Sequence, residues 1–121
     1  MISDQNILLV EDDPDISEAI NMILTDEKFK VSCVYNGKEA LSFLETSKII
    51  PSLIILDIMM PIMTGLEFRK IQLQNPAFAK IPTILLTATG KTEEIEKFQF
   101  KSYLTKPIDL DSLLEAVKKN I

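Results

Sequence analysis

The sequence predicts an α/β fold, a doubly wound five-stranded parallel sheet of order 2-1-3-4-5 with helices on both faces. Three observations lead there. Short apolar runs alternate with longer amphipathic stretches, five times in succession. The runs are apolar throughout rather than alternating, which marks strands covered on both faces. Polar residues stand directly after them, at the strand ends where open α/β sheets place their ligands.

Ile7-Leu8-Leu9-Val10 is the first strand, ended by acids. Ile16, Ala19, Ile20, Ile23 and Leu24 recur at helical spacing, so a helix follows from Pro14. Asp13 is its N-cap, and Pro14 suits the first helical position. The second strand is Val31 to Tyr35. Asn36-Gly37 then turns the chain into a short helix carrying Ala40, Leu41 and Leu44. Leu53 to Leu56 is the third strand, with Asp57 just after it. A helix runs from Gly65 to near Gln74 and closes at Asn75-Pro76. Thr83 to Leu86 is the fourth strand. Residues 92–98 make a short, weakly patterned helix with Ile95 and Phe98 inward. Ser102 to Thr105 is the fifth strand. Leu110, Leu113, Leu114 and Val117 give the last helix, with Asp109 as N-cap.

The composition removes several function classes. The 121 residues suit one domain, residues 1–121, with no output domain. With no histidine and one cysteine, Cys33, the chain lacks His-based catalysis, the usual zinc sets and an internal disulfide. Three scattered glycines cannot build a dinucleotide-binding loop. Gly90-Lys91-Thr92 resembles the end of a phosphate-binding loop, but Leu85 stands where its first glycine belongs. A net charge of −5 argues against direct nucleic-acid binding. No apolar stretch suits a bilayer, and the N-terminus is not a signal peptide, so a cytoplasmic location is expected.

The strand ends carry the chemistry. Glu11, Asp12 and Asp13 follow the first strand, Asp57 the third, Thr87 the fourth and Lys106 the fifth. Four carboxylates in one cleft repel one another, and a hard divalent cation with oxygen ligands is the natural remedy. Few protein ligands in an open cleft suit Mg²⁺, which keeps several waters and often also binds phosphate. Lys106 offers a mobile positive charge to phosphate oxygens and Thr87 a hydroxyl. Asp57, among them, is a candidate nucleophile able to form an acyl phosphate.

Four segments now carry a resemblance: Ile7-Leu-Leu-Val-Glu-Asp-Asp-Pro14, Leu56-Asp-Ile-Met-Met-Pro-Ile-Met-Thr-Gly65, Leu86-Thr-Ala88 and Tyr103-Leu-Thr-Lys-Pro107. In this order and spacing, from about Asn6 to Asn120, the chain resembles a bacterial two-component response-regulator receiver domain, a flavodoxin-like fold. The resemblance implies that Asp57 accepts a phosphoryl group from a sensor histidine kinase or histidine phosphotransfer protein. It implies Mg²⁺ held by Asp12, Asp57 and the Met59 carbonyl, with Glu11 acting through water. Thr87 and Lys106 would contact the phosphoryl oxygens, and Thr87 with the aromatic Tyr103 would form the switch. Asp13 is then mainly a helix cap.

The resemblance also exposes a departure. The stretch from Thr87 to Tyr103 is about one helical turn short, and Phe98-Gln-Phe-Lys-Ser102 stands where a Gly-Ala is usual. A shortened fourth helix without a glycine cap is expected. The surface of helix 4, strand 5 and helix 5 is therefore expected to be remodelled, with Phe98 and Phe100 either partly exposed on it or buried beneath it. It would bind an unidentified downstream protein, the chain itself remaining a monomer. Thr89 and Met59 occupy positions that influence acyl-phosphate lifetime in the family. Two alternatives are a receiver-like interaction module that works without phosphorylation and an aspartyl-nucleophile phosphatase. The second is disfavoured because Met59 stands where such an enzyme places its general acid.

Overall fold

The computed structural model describes residues 5–88 and 92–121. Strands and helices alternate as β1 (Asn6–Val10), α1 (Pro14–Asp26), β2 (Lys30–Val34), α2 (Gly37–Thr46), β3 (Leu53–Asp57), α3 (Gly65–Gln74), β4 (Thr83–Thr87), α4 (Glu93–Lys97), β5 (Ser102–Thr105) and α5 (Leu110–Asn120). All strands are parallel, in the order β2-β1-β3-β4-β5. The expected fold class and strand order are borne out.

Successive side chains of a strand point to opposite faces, so each uninterrupted apolar run supplies two cores. Leu8, Val10, Ile54, Leu56 and Leu85 join Ala40, Leu44, Phe68 and Ile95 on one face. Ile7, Leu9, Leu53, Ile55, Ile84 and Leu86 join Ile20, Leu24, Leu113 and Val117 on the other. The edge strand β2 is only half-buried, apart from the exposed Lys30.

The helix starts follow from capping. Asp13 Oδ1 accepts the Asp15 and Ile16 N–H groups at 2.9 and 3.3 Å, satisfying donors that the first turn leaves open. Asp109 accepts from Asp111 N at 3.3 Å. Thr64 and Glu67 form a reciprocal capping box at α3, a signal present in the sequence as Thr-x-x-Glu.

Two details differ from the sequence reading. Asp57 and Thr87 are the last residues of β3 and β4, buried in the sheet, rather than the first residues of loops. The short α4 ends at Lys97, so Phe98 is its C-cap and only half-buried. The aromatic that packs against the core is Phe100, two residues on. Among the described residues no helix is long and apolar enough to cross a membrane.

Candidate functional site

Register sets the site. Val10 aligns with Leu56, Asp57 with Leu86, and Thr87 with Thr105. The ends of β1, β3, β4 and β5 are therefore level, and Glu11, Asp57, Thr87 and Lys106 meet at one edge of the sheet. Gly65, the first residue of α3, keeps the loop between β3 and α3 tight. Its N–H donates to Ile58 O at 2.9 Å, and a Cβ there would lie 2.3 Å from the Asp57 carbonyl oxygen. Only a residue without a side chain allows α3 to start so close to Asp57.

One carboxylate oxygen from each of Glu11, Asp12 and Asp57 lies within 4.8 Å of the other two. Asp13 is not in this group. It is exposed and spends its carboxylate on the cap of α1, so the acidic cleft has three carboxylates rather than four. Lys106 Nζ reaches into the cleft, 3.2 Å from Glu11 Oε1 and 3.2 Å from Asp57 Oδ1. Its backbone N–H donates to Thr87 O at 2.8 Å, which ties β5 to β4 at this edge. The Met59 N–H donates to Asp57 Oδ1 at 3.3 Å, while its side chain is 69% exposed. Met59 therefore meets the site through its backbone.

The electrostatics are those of crowded, buried acids. Burial, and then the neighbouring Asp57, push the Glu11 carboxyl up to about 7. Burial also raises the pKa of Asp57, against the pull of Lys106. For Lys106 burial opposes the charge, yet Asp57 and Glu11 together hold its pKa above the ordinary value. Asp57 Oδ2 is buried and meets no hydrogen-bond donor, and Glu11 Oε1 has only the lysine ion pair. Orphaned carboxylate oxygens in an all-oxygen donor set fit a hard cation such as Mg²⁺.

Thr87 is fully buried at the end of β4. Tyr103, on β5 opposite Leu85, faces outward and is 41% exposed. It borders a surface cavity of about 460 Å³ shared with Ile95, Glu96 and Phe100. Thr89, Gly90 and Lys91 lie outside the described residues. Sequence reasoning missed a second polar cluster, Arg69 and Gln72 of α3 with Thr83 of β4, all buried.

Asp12 lies in the carboxylate cluster and Asp13 in the cap of α1, so their substitutions are expected to have different effects. An Asp13→Ala protein is expected to lose about 1 kcal/mol of stability with its Mg²⁺ affinity unchanged. Asp12→Ala should show the reverse, losing most Mg²⁺ affinity. Thermal melts and calorimetric titration of both proteins with Mg²⁺ check this, and equal loss of affinity in both would contradict the assignment.

Comparison with known proteins identifies the family. Residues 7–118 match the family model described as the response regulator receiver domain. Response regulator Rre1 of Synechocystis is 36% identical over 120 residues, covering 96% of this chain and 51% of Rre1. The chain thus spans about half the length of that relative. Among solved structures, the chemotaxis response regulator CheY4 of Vibrio cholerae superposes with a TM-score of 0.88 at 26% identity, covering 98% of this chain and 100% of CheY4. The receiver domain of the sensor histidine kinase PA1611 of Pseudomonas aeruginosa gives 0.86 at 25% identity, covering 98% of each chain; that structure has magnesium coordinated in its active-site cleft. The chain belongs to the response regulator receiver domain family of two-component signalling.

Proposed function

We propose that Asp57 is a phosphoacceptor, loaded in a Mg²⁺-dependent reaction by a histidine kinase, a histidine phosphotransfer protein or a small acyl phosphate. The observation that carries this reading is the buried Asp57 carboxylate, with one oxygen on Lys106 and Met59 N–H and the other without a donor. An Asp57 carboxylate oxygen attacks phosphorus, an O–P bond forms, and the donor's P–N or P–O bond breaks. The leaving imidazole or carboxylate departs with the bond electrons. Asp12 and Asp57, with Glu11 beside them, would hold Mg²⁺, which would neutralise charge at the phosphoryl oxygens.

The chain's own groups do the rest. Lys106 favours the ionised form of Asp57 against its burial and would face the charge carried by the transferred group. The buried Thr87 stands beside Asp57 on the adjacent strand and offers a hydroxyl to a phosphoryl oxygen. An apolar cavity of about 270 Å³ next to Lys106, lined by Ile16, Ile20, Ile108 and Leu110, suits the side of a donor helix. On loading, Thr87 and Tyr103 pass the change to the α4–β5–α5 surface, where a protein partner is recognised.

Incubation with acetyl phosphate and Mg²⁺, followed by intact mass measurement, tests the reading. One phosphoryl group should add to the wild-type protein and none to Asp57→Asn. An adduct of equal yield in Asp57→Asn, or none in either protein with any donor, would overturn it. The latter outcome would favour an interaction module.

A further inference from the structure

Away from the acidic cleft the fold buries a positive charge that, among the described residues, has no negative partner. Arg69, on α3, is only 4% exposed. Its Nε donates to Phe98 O at 3.0 Å and one Nη to Gln99 O at 3.1 Å. The other Nη donates to Gln72 Oε1 and to Thr83 Oγ1, each at 3.0 Å. The Phe100 ring lies 5.1 Å from the guanidinium carbon. Every one of these acceptors is neutral, and no carboxylate among the described residues pairs with it. Burial lowers its pKa to about 10, which still leaves it charged at neutral pH.

A buried cation is costly, so what it holds matters. Phe98 and Gln99 directly follow α4, which is only five residues long. The last carbonyls of a helix lack partners, and glycine commonly caps such an end. This chain has Gln99 there instead, at a φ of 51°, a conformation that few residues other than glycine adopt readily. Arg69 satisfies the carbonyls of Phe98 and Gln99, the C-cap and the residue after it, from a different helix. On its far side Gln72 and Thr83 brace the guanidinium, and Gln72 Nε2 donates onward to Phe78 O at 3.0 Å. The polar cluster ties α3 to the α4–β5 connection on one side and to β4 and the segment before it on the other.

The other end of α3 is seated on the proposed phosphoacceptor. Gly65 donates to Ile58 O and abuts the Asp57 carbonyl, as described above. A single ten-residue helix thus touches the Asp57 loop at its start and grips the end of α4 from its middle. We propose that Arg69 is a positioning residue, a C-cap for α4 supplied by α3, which holds the α4–β5 connection in its unphosphorylated arrangement and couples that connection to the Asp57 loop. The coupling rests on the phosphoacceptor reading; the clamp itself does not.

Amide exchange of the full chain tests both parts, in wild type, Arg69→Lys and Arg69→Gln, each with and without Mg²⁺ and beryllium trifluoride as phosphoryl mimic. In the unloaded Arg69→Gln protein, exchange over residues 95–102 should accelerate about tenfold, while β1 and β3 keep their protection. The change produced by the mimic in that segment should shrink or vanish. Arg69→Lys, which keeps a charge and can reach one carbonyl, should fall between. Unchanged exchange over 95–102 in Arg69→Gln, or an equal acceleration throughout the domain, would overturn the clamp. Local acceleration with an undiminished response to the mimic would overturn the coupling. Acetyl phosphate labelling of wild type, run alongside, keeps the two readings apart. Failure to label counts against Asp57 as acceptor, whereas the unloaded comparison still decides the clamp.

Discussion

A Lys106→Met protein is expected to take up a phosphoryl group from acetyl phosphate at least about a hundredfold more slowly than wild type. It should also be destabilised at pH 8 and nearly unaffected at pH 5. Both effects have one source. Lys106 Nζ is 3.2 Å from an oxygen of each buried acid, and among the described residues no other cation pairs with them. Without it, developing charge on the transferred group loses its protein counterion. The ground state suffers too, because two crowded carboxylates are left alone. Breaking a buried pair costs about 3–5 kcal/mol, and the lysine's 23% exposure argues for the lower part of that range or below. Protonation removes the penalty, since Glu11 and Asp57 already sit above their ordinary values and rise further when the lysine is gone. Melts at several pH values, with single-turnover labelling by acetyl phosphate, check the pair of effects. A pH-independent loss of stability would mean that the lysine acts by packing alone.

The second large effect concerns Mg²⁺ and protons competing for the same oxygens. The Glu11 pKa is raised from 4.5 to about 7, and that of Asp57 is raised from 3.8. A carboxyl with a raised folded-state pKa contributes stability that is complete below its unfolded value. The contribution is lost as pH rises through the folded value. The metal-free protein should therefore weaken between about pH 4.5 and 7 on account of Glu11, with Asp57 adding in the same direction. On the proposed reading Mg²⁺ would bind the ionised acids, so it should raise the melting temperature more at pH 8 than at pH 5.5. Its apparent affinity should fall about tenfold per pH unit below 7 if one proton is displaced. Melts with and without Mg²⁺ at the two pH values measure this. An equal increment at both would show that the metal does not engage the shifted carboxyls.

Much of this was legible in the sequence, for a physical reason. A strand buried on both faces must be apolar at every position, so β1, β3 and β4 announce themselves as unbroken runs. Parallel register then brings their ends level, which is why polar residues scattered over 96 positions, from Glu11 to Lys106, fall in one cleft. Capping also explains Asp13, whose carboxylate the helix claims.

The Arg69 cluster was not legible. The stripe of α3 that faces inward is Gly65, Phe68, Arg69 and Gln72, two of them strongly polar, while Ile71 is exposed. A periodicity that tracks apolar residues points away from such a stripe. The fate of Phe98 and Phe100 was hidden for a related reason. A five-residue helix has too few turns to define a face, so the residue that packs is decided by where the helix ends. That end is set by Arg69, a contact 29 residues away in sequence.

The central claim, that Asp57 carries the phosphoryl group, is tested most directly by locating it. Borohydride reduces an aspartyl phosphate to homoserine, so the acetyl phosphate-treated protein, reduced and digested, reports the acceptor by mass. Homoserine at position 57, dependent on Mg²⁺ and absent without acetyl phosphate, is the predicted result. Homoserine at position 12 or 13 instead, or an unmodified Asp57 in protein that has gained a phosphoryl group, would contradict it.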